Sequence, residues 1–158
     1  MSAGTWESHH AITTLMYEYA DCVDRADFDG IGALFTQGAI TQHGVPGAVP
    51  GPDGVANLYR STNKVHADGT LRTRHLTANA IVDIDEDAGT AAARSVFVVF
   101  QCTAATPLQP IVSGRYRDRF ARTEGPWHFV EREMHVEHLG NVADHLSEAV
   151  LALLGQQP

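Results

Sequence analysis

The sequence lacks the features of membrane, secreted and disulfide-stabilised proteins. No segment approaches the ~20 consecutive apolar residues that a membrane-spanning helix needs. The N-terminus shows no basic stretch before an apolar run, so we expect a cytoplasmic protein with no membrane partner. Cys22 and Cys102 are the only cysteines, which is too few for a disulfide framework or for a metal site built from thiolates.

Positive charge is also scarce. Eleven basic residues stand against nineteen acidic ones, which gives a formal net charge of −8. Such a chain repels a phosphate backbone, and we therefore expect no nucleic-acid partner. The length of 158 residues suits a single domain over residues 1–158, with its core between about 11 and 138.

Helical periodicity marks the first third of the chain and its end. Apolar residues recur every three or four positions over residues 11–23 and again after Asp27, which is a candidate N-cap. A third helix is predicted to start near Asp53. A last amphipathic helix is predicted over about 141–155, where it would cover the sheet or a subunit interface.

Strand-forming residues dominate the second half. A short strand is predicted at residues 39–42, and the stretch 43–52, rich in glycine and proline, is predicted to be a loop. Short polar turns separate the later segments, which predicts an antiparallel meander. Helices followed by such strands indicate an α+β fold, and a sheet curved around the helices leaves a pocket on its concave side. The later segments are residues 72–85, 90–102, 111–123 and 127–138.

Two side chains, Asp24 and His75, are the first candidates for chemistry. Asp24 ends the first predicted helix, where the negative end of the helix dipole opposes a carboxylate, although a turn role is the ordinary explanation for an aspartate in this acidic corner. His75 enters a predicted strand and is either a satisfied structural residue or a general base. The residues alone leave both alternatives open. A buried carboxylate beside His75 would favour the base.

The nine histidines form no recognisable metal-binding motif. His135 and His138 are three residues apart, which places them on opposite faces of a predicted strand and makes joint chelation awkward. We therefore predict no metal site and no cofactor.

Five short motifs follow one another along the chain. They are Tyr-Ala-Asp-Cys-Val-Asp-Arg-Ala-Asp-Phe-Asp at 19–29, Leu-Phe-Thr at 34–36, Thr-Arg-His-Leu at 73–76, Gly-Arg-Tyr-Arg-Asp at 114–118 and Gly-Pro-Trp at 125–127. In their order and spacing these motifs resemble SnoaL-like members of the nuclear transport factor 2-like superfamily. The resemblance implies a cone-shaped α+β fold, in which leading helices pack on a strongly curved, mostly antiparallel sheet with a central pocket.

For the site, the resemblance to the dehydratase and dehydrochlorinase branch implies that Asp24 and His75 form the catalytic pair. Tyr19 matches a tyrosine that precedes the aspartate of bile-acid dehydratase. Val23 departs from scytalone dehydratase, which has a tyrosine at that position, so its hydrogen-bond donor is not carried over. The predicted substrate contacts are His43, Phe35, Leu58, Phe97, Val99 and His135.

The resemblance thus implies a cofactor-independent lyase or isomerase, similar to a dehydratase, that acts on a small hydrophobic cyclic molecule such as an aromatic or polycyclic compound. Two alternatives stay open: a polyketide cyclase, and a non-catalytic binding or oligomer-assembly subunit of the same fold. A homodimer or homotrimer is expected, because an uncovered apolar sheet face would favour aggregation.

Overall fold

The first helix is longer than its apolar pattern predicts. The computed structural model describes residues 3–155, and α1 spans Ala3–Asp24. The predicted apolar face, which includes Ile12 and Met16, is buried. The apolar pattern does not predict the extra N-terminal turns, because the buried side chain in these turns is polar, namely Ser8. None of the helices between residues 3 and 155 combines the length and hydropathy that crossing a membrane requires.

Two shorter helices follow and pack on each other. Helix α2 spans Phe28–Leu34 and is capped as predicted, because the Asp27 carboxylate accepts a hydrogen bond of 2.9 Å from the Gly30 backbone N–H. Helix α3 spans Gly51–Thr62. The two approach so closely that a Cβ on Gly32 would lie 2.4 Å from the carbonyl oxygen of Pro52.

The six strands of the described chain form one curved, unclosed sheet in the order β2-β1-β6-β5-β4-β3. All neighbouring pairs are antiparallel except β1 and β6, which run parallel. Together with the leading helices, this sheet confirms the predicted α+β fold class. The strands are β1 Ala39–Gln42, β2 Val45–Pro50, β3 Thr73–Asp85, β4 Thr90–Gln101, β5 Gln109–Ala121 and β6 His128–Leu139.

The prediction of a loop over residues 43–52 is wrong. Most of this stretch is β2, which forms a hairpin with β1 across a short turn at His43 and Gly44, whose φ of 77° suits glycine. Proline cannot donate to a sheet ladder, and this is what made the segment look irregular. Pro46 and Pro50 are tolerated because β2 is the edge strand of the sheet.

The last helix is also shorter than predicted. Helix α4 spans only Glu148–Leu153, and the hydroxyl of the preceding residue, Ser147, caps it by accepting a hydrogen bond from the Val150 backbone N–H. The preceding residues are held in an irregular course by Asp144, which binds Lys64 at 2.9 Å and Thr103 at 2.5 Å. These hydrogen bonds lower the pKa of Asp144 to about 2. The tertiary contacts of Asp144 therefore override the helical periodicity of this segment.

A buried ion pair crosses the sheet between β5 and β6. Asp118 accepts hydrogen bonds of 2.9 and 2.7 Å from the Arg132 guanidinium, and both side chains are fully buried. The guanidinium lies 4.1 Å from the Tyr19 ring centre and 4.0 Å from that of Tyr116. Burial lowers the pKa of Arg132, but Asp118 outweighs burial and raises it above its usual range. The predicted alternation over residues 115–120 thus holds, and its one charged inward residue has a partner.

The outer face of β5 and β6 is charged rather than apolar. Arg115 pairs with Glu137 at 2.9 Å and Arg119 with Glu131 at 2.8 Å across these strands. An uncovered apolar face is therefore no reason for a second copy to bind here. The homodimer or homotrimer stays a prediction.

Candidate functional site

Asp24 and His75 meet where the end of α1 touches the start of β3. The Nδ1 atom of His75 lies 2.6 Å from Asp24 Oδ1, and the backbone N–H of His75 donates to Oδ2 over 2.9 Å. Thr73 also donates its hydroxyl to Oδ1 at 2.8 Å. Asp24 is only 7% exposed. The carboxylate is therefore not a solvated turn residue, which was the ordinary explanation for it.

The electrostatics of this pair favour an ionised aspartate. Burial by itself raises the pKa of Asp24, but hydrogen bonds from His75 and Thr73, together with the charge of His75, outweigh burial and hold that pKa below its ordinary value. A carboxylate at Nδ1 keeps the Nδ1 proton in place, which leaves Nε2 as the basic nitrogen of a neutral imidazole. Within residues 3–155, Nε2 of His75 has no hydrogen-bond partner, and the side chain lines a cavity that is partly open to solvent.

The cavity has a volume of about 430 Å³, within the usual range for small-molecule sites. It lies between the concave face of the sheet, helices α1 and α3, and the C-terminal segment. Of the predicted substrate contacts, the structure places Leu58, Phe97 and Val99 on its wall. Two open depressions of about 540 and 620 Å³ lie on the outer face of the sheet, and His75 lines neither of them. The further apolar lining residues include Val112, Met134, Val136, Leu146 and Val150.

Three tyrosines form one wall of the cavity. The hydroxyl of Tyr19 is hydrogen-bonded to that of Tyr59 and its ring packs edge-to-face on Tyr116, so its contacts are with this cluster rather than with Asp24. Burial raises the pKa of all three phenols, which keeps them protonated at neutral pH. Neutral phenols can donate hydrogen bonds to an oxygen of a bound molecule. Sequence reasoning found Tyr19 but not the other two, which appear in the sequence only as apolar positions of a helix and a strand.

A second cavity histidine, His145, was missed by sequence reasoning. It is 7% exposed, lines the cavity, and has a buried Nδ1 atom without a hydrogen-bond partner in the described chain. Burial, and secondarily the nearby His75, lower its pKa to about 4, against a smaller opposing effect of Asp24. His145 is therefore neutral at pH 7. Its position in a segment expected to be helical offered no signal, because only the irregular course of residues 141–147 carries it over the cavity.

The structure does not bring the other three predicted substrate contacts to the cavity. Phe35 is fully buried in the core and stacks on Phe129 with ring centres 4.9 Å apart. His43 and His135 stack on each other at 4.1 Å on the other face of β6, beside Glu133. The cause is strand alternation: Met134 lines the cavity, so its neighbours along β6 point away from it.

That second cluster also bears on the prediction of no metal site. The ligand atoms of His43, Glu133 and His135 all lie within 4.8 Å of one another, which is a spacing that could hold a metal ion. Sequence reasoning took His43 and His135 as separate substrate contacts and considered chelation only for His135 with His138, because His43 and His135 meet only through the parallel pairing of β1 with β6.

Comparison with solved structures supports the fold. Rv3472 of Mycobacterium tuberculosis, a protein of unknown function solved as a variant, is 26% identical, with a TM-score of 0.69 over 85% of this chain and 79% of that one. A nuclear transport factor 2-like protein of Novosphingobium aromaticivorans with a cystatin-like fold is also 26% identical, with a TM-score of 0.68 over 84% and 83% of the two chains. A candidate scytalone dehydratase from the same bacterium is 20% identical, with a TM-score of 0.67 over 87% and 89%, a likeness that shows the fold alone.

Family membership follows from the sequence match rather than from these structures. A search of curated proteins found no match for this chain. The model of the SnoaL-like domain matches residues 4–133, a range that covers all but the first residue of α1, strands β1 to β5 and the first half of β6, and that contains both Asp24 and His75. The chain therefore belongs to the SnoaL-like domain family of the nuclear transport factor 2-like superfamily.

Proposed function

We propose that this protein is a cofactor-independent acid–base enzyme of the lyase or isomerase type. The observation that carries the proposal is the buried Asp24–His75 pair, in which a carboxylate holds one imidazole nitrogen while the ring lines an apolar cavity. A nearby carboxylate that fixes the tautomer is what a histidine needs to act as a base. Fold alone does not assign chemistry in a superfamily of this kind.

In the proposed reaction, Nε2 of His75 removes a proton from a carbon atom next to an electron-withdrawing group of the substrate. The electron pair of the broken C–H bond forms a double bond as a hydroxyl group leaves from the adjacent carbon. His75 then returns the proton to the departing oxygen, and water is released. Asp24 stabilises the intermediate imidazolium through its hydrogen bond to Nδ1, an interaction that burial strengthens. Return of the proton to another carbon would give an isomerisation instead.

The tyrosine wall and His145 supply hydrogen-bond donors for the oxygen on which negative charge develops. Tyr19, Tyr59 and Tyr116 are neutral phenols on one side of the cavity. His145 remains a neutral imidazole when His75 gains a proton, because a positive His75 further lowers the pKa of His145. Donors held in place beside an apolar wall stabilise such an oxygen more than freely reorienting water would.

The substrate class follows from the wall. Apolar side chains such as Leu58, Phe97 and Val99 surround the polar groups, which suits a small, largely hydrophobic ring compound that carries a carbonyl and a hydroxyl group. Polyketide-type and aromatic ring compounds share this chemistry.

The test compares matched variants on a panel of cyclic β-hydroxy ketones with one to four rings. Loss of water is followed by mass spectrometry, and binding is measured separately by calorimetry. We expect His75→Gln and Asp24→Asn to lower turnover of the best substrate by roughly 10²-fold or more while binding persists. Asp21→Asn is the matched control, because Asp21 lies one turn earlier on α1 with a side chain that is 62% exposed.

Turnover that survives in His75→Gln would contradict the proposal. Compounds that bind in the cavity but are never converted by the wild-type protein would favour the non-catalytic binding role instead.

A further inference from the structure

A cluster of three metal-ligating side chains lies on the sheet face opposite the cavity. Glu133 and His135 are two residues apart on β6 and so share a face of that strand. The parallel register pairs Gln42 with Met134, which places the next residue, His43, beside His135. The cluster thus draws its ligands from two strands that are far apart in sequence.

The distances in the cluster suit one shared ion. The Nδ1 atom of His43 lies 3.3 Å from Glu133 Oε1, and Nε2 of His135 lies 2.8 Å from Oε2 of the same carboxylate. Donors bound tetrahedrally at about 2.1 Å from a zinc ion stand about 3.4 Å from one another. Because the rings of His43 and His135 are stacked with their planes 15° apart, the largely exposed His43 ring must turn before both nitrogen lone pairs can meet at one ion.

The Nε2 atom of His135 gives a second indication of a metal site. Its Nε2 atom is buried and makes no hydrogen bond with acceptable geometry in the described chain, although Glu133 Oε2 is only 2.8 Å away. The ring therefore does not direct an N–H at that oxygen. A buried imidazole nitrogen without a directed partner is costly unless it is satisfied by something else, and a metal ion on its lone pair is such a partner.

We propose that His43, Glu133 and His135 bind one divalent transition-metal ion of the zinc type. Two imidazoles and one carboxylate suit Zn²⁺ and related ions, whereas Mg²⁺ prefers oxygen ligands. The His43 side chain is 65% exposed, so water completes the coordination. This site does not depend on the proposed enzymatic function, because its ligands lie on the opposite face from the cavity.

The charges around the cluster affect how tightly it would bind a cation. Arg117 lies opposite Glu133 in the register of β5 and β6 and has no ion-pair partner among residues 3–155. Its positive charge opposes a bound cation, so Arg117→Gln is expected to tighten binding. Arg115 lies opposite His135 but is engaged by Glu137 at 2.9 Å.

A bound ion would join the β1–β2 turn, which carries His43, to the central part of the sheet. The hairpin leads directly into α3, whose residues line the cavity. An ion that binds the folded chain and not the unfolded one raises the melting temperature, and the rise continues with the logarithm of the free ion concentration above the Kd. Thermal stability is therefore a readout that does not require a substrate.

The experiment is a Zn²⁺ titration of the full-length, tag-free protein by isothermal calorimetry in a non-chelating buffer, with thermal unfolding in parallel. We expect one ion per chain and a rise in melting temperature. Each of His43→Gln, Glu133→Gln and His135→Gln should weaken binding at least about tenfold, the scale reached when even an outer partner of a metal ligand is lost. Mg²⁺ at the same concentration should not bind.

The control variant is His138→Gln, since His138 is an exposed histidine of the same strand that bonds to Ser113 and not to the cluster. Circular dichroism verifies the fold of each variant, and the largely exposed His43 gives the variant least disturbed by packing. The proposal is overturned if wild-type protein shows no Zn²⁺ binding, if the three ligand variants bind as tightly as wild type, or if His138→Gln loses as much affinity as they do.

Discussion

The buried His145 makes the stability of this protein depend on pH in a calculable way. Its pKa is about 4 in the folded chain, against 6.5 for an ordinary histidine. Between these values the unfolded chain binds a proton at this residue and the folded chain does not, so unfolding is favoured as the pH falls. The stabilisation due to neutral His145 is therefore complete above pH 6.5 and is lost as the pH approaches 4.

The size of the effect follows from the two pKa values of His145. The full separation corresponds to about 3 kcal/mol of unfolding free energy. Between pH 7 and pH 5, where only part of the window is crossed, the wild-type protein should lose about 2 kcal/mol through this residue. The variant keeps every other titratable group of the chain, so the difference between the two proteins reports on His145 together with its interactions with Asp24, His75 and His66.

Urea unfolding of wild type and His145→Gln at pH 7, 6 and 5 measures this difference. The glutamine variant carries no titrating group at that position, so its unfolding free energy should fall by about 2 kcal/mol less than that of wild type over this range. His138→Gln, which removes an exposed histidine, should follow wild type. Parallel pH profiles for wild type and His145→Gln would refute the assignment of a buried neutral imidazole.

Three further predictions concern the buried ion pair, the close contact of β5 with β6 and the cap of α2. Asp118→Asn leaves the buried Arg132 without its counter-charge and should lower the unfolding free energy, measured in urea, by about 3–5 kcal/mol. The double replacement Asp118→Leu with Arg132→Met should lower it less, and equal losses would contradict an ion-pair effect. Gly114→Ala places a Cβ 2.0 Å from the carbonyl oxygen of His135 and should lower the unfolding free energy by about 1–3 kcal/mol, and an unchanged midpoint would show that the strands separate freely. Asp27→Ala removes the cap of α2 and should cost about 1 kcal/mol, unless water satisfies the Gly30 N–H equally well.

Much of the architecture was predictable because local spacing determines which side chains share a face. The i, i+3, i+4 repeat located the buried face of α1, and the alternation over residues 115–120 located the inward face of β5. The Asp24–His75 pair was predictable through the resemblance to known motifs, although the residues alone left it undecided. In the structure the carboxylate is buried against the imidazole. The N-terminal turns of α1 were not predicted because their buried residue, Ser8, is polar. The edge strand β2 was predicted to be a loop because it contains two prolines.

Tertiary structure alone decided which faces meet. The partner of Asp118 is Arg132 because β5 and β6 pair in a register that shifts at Arg119/Phe120, and the alternation within each strand does not reveal that shift. The parallel contact of β1 with β6 brings His43 to His135 in the same way. His145 reaches the cavity only because Asp144 ties its segment to residues far away in the chain. The periodicity of apolar residues within a segment determines which side of that segment is buried. Which segments pack together depends on contacts between residues that are distant in the sequence, and these contacts are not visible in either segment alone.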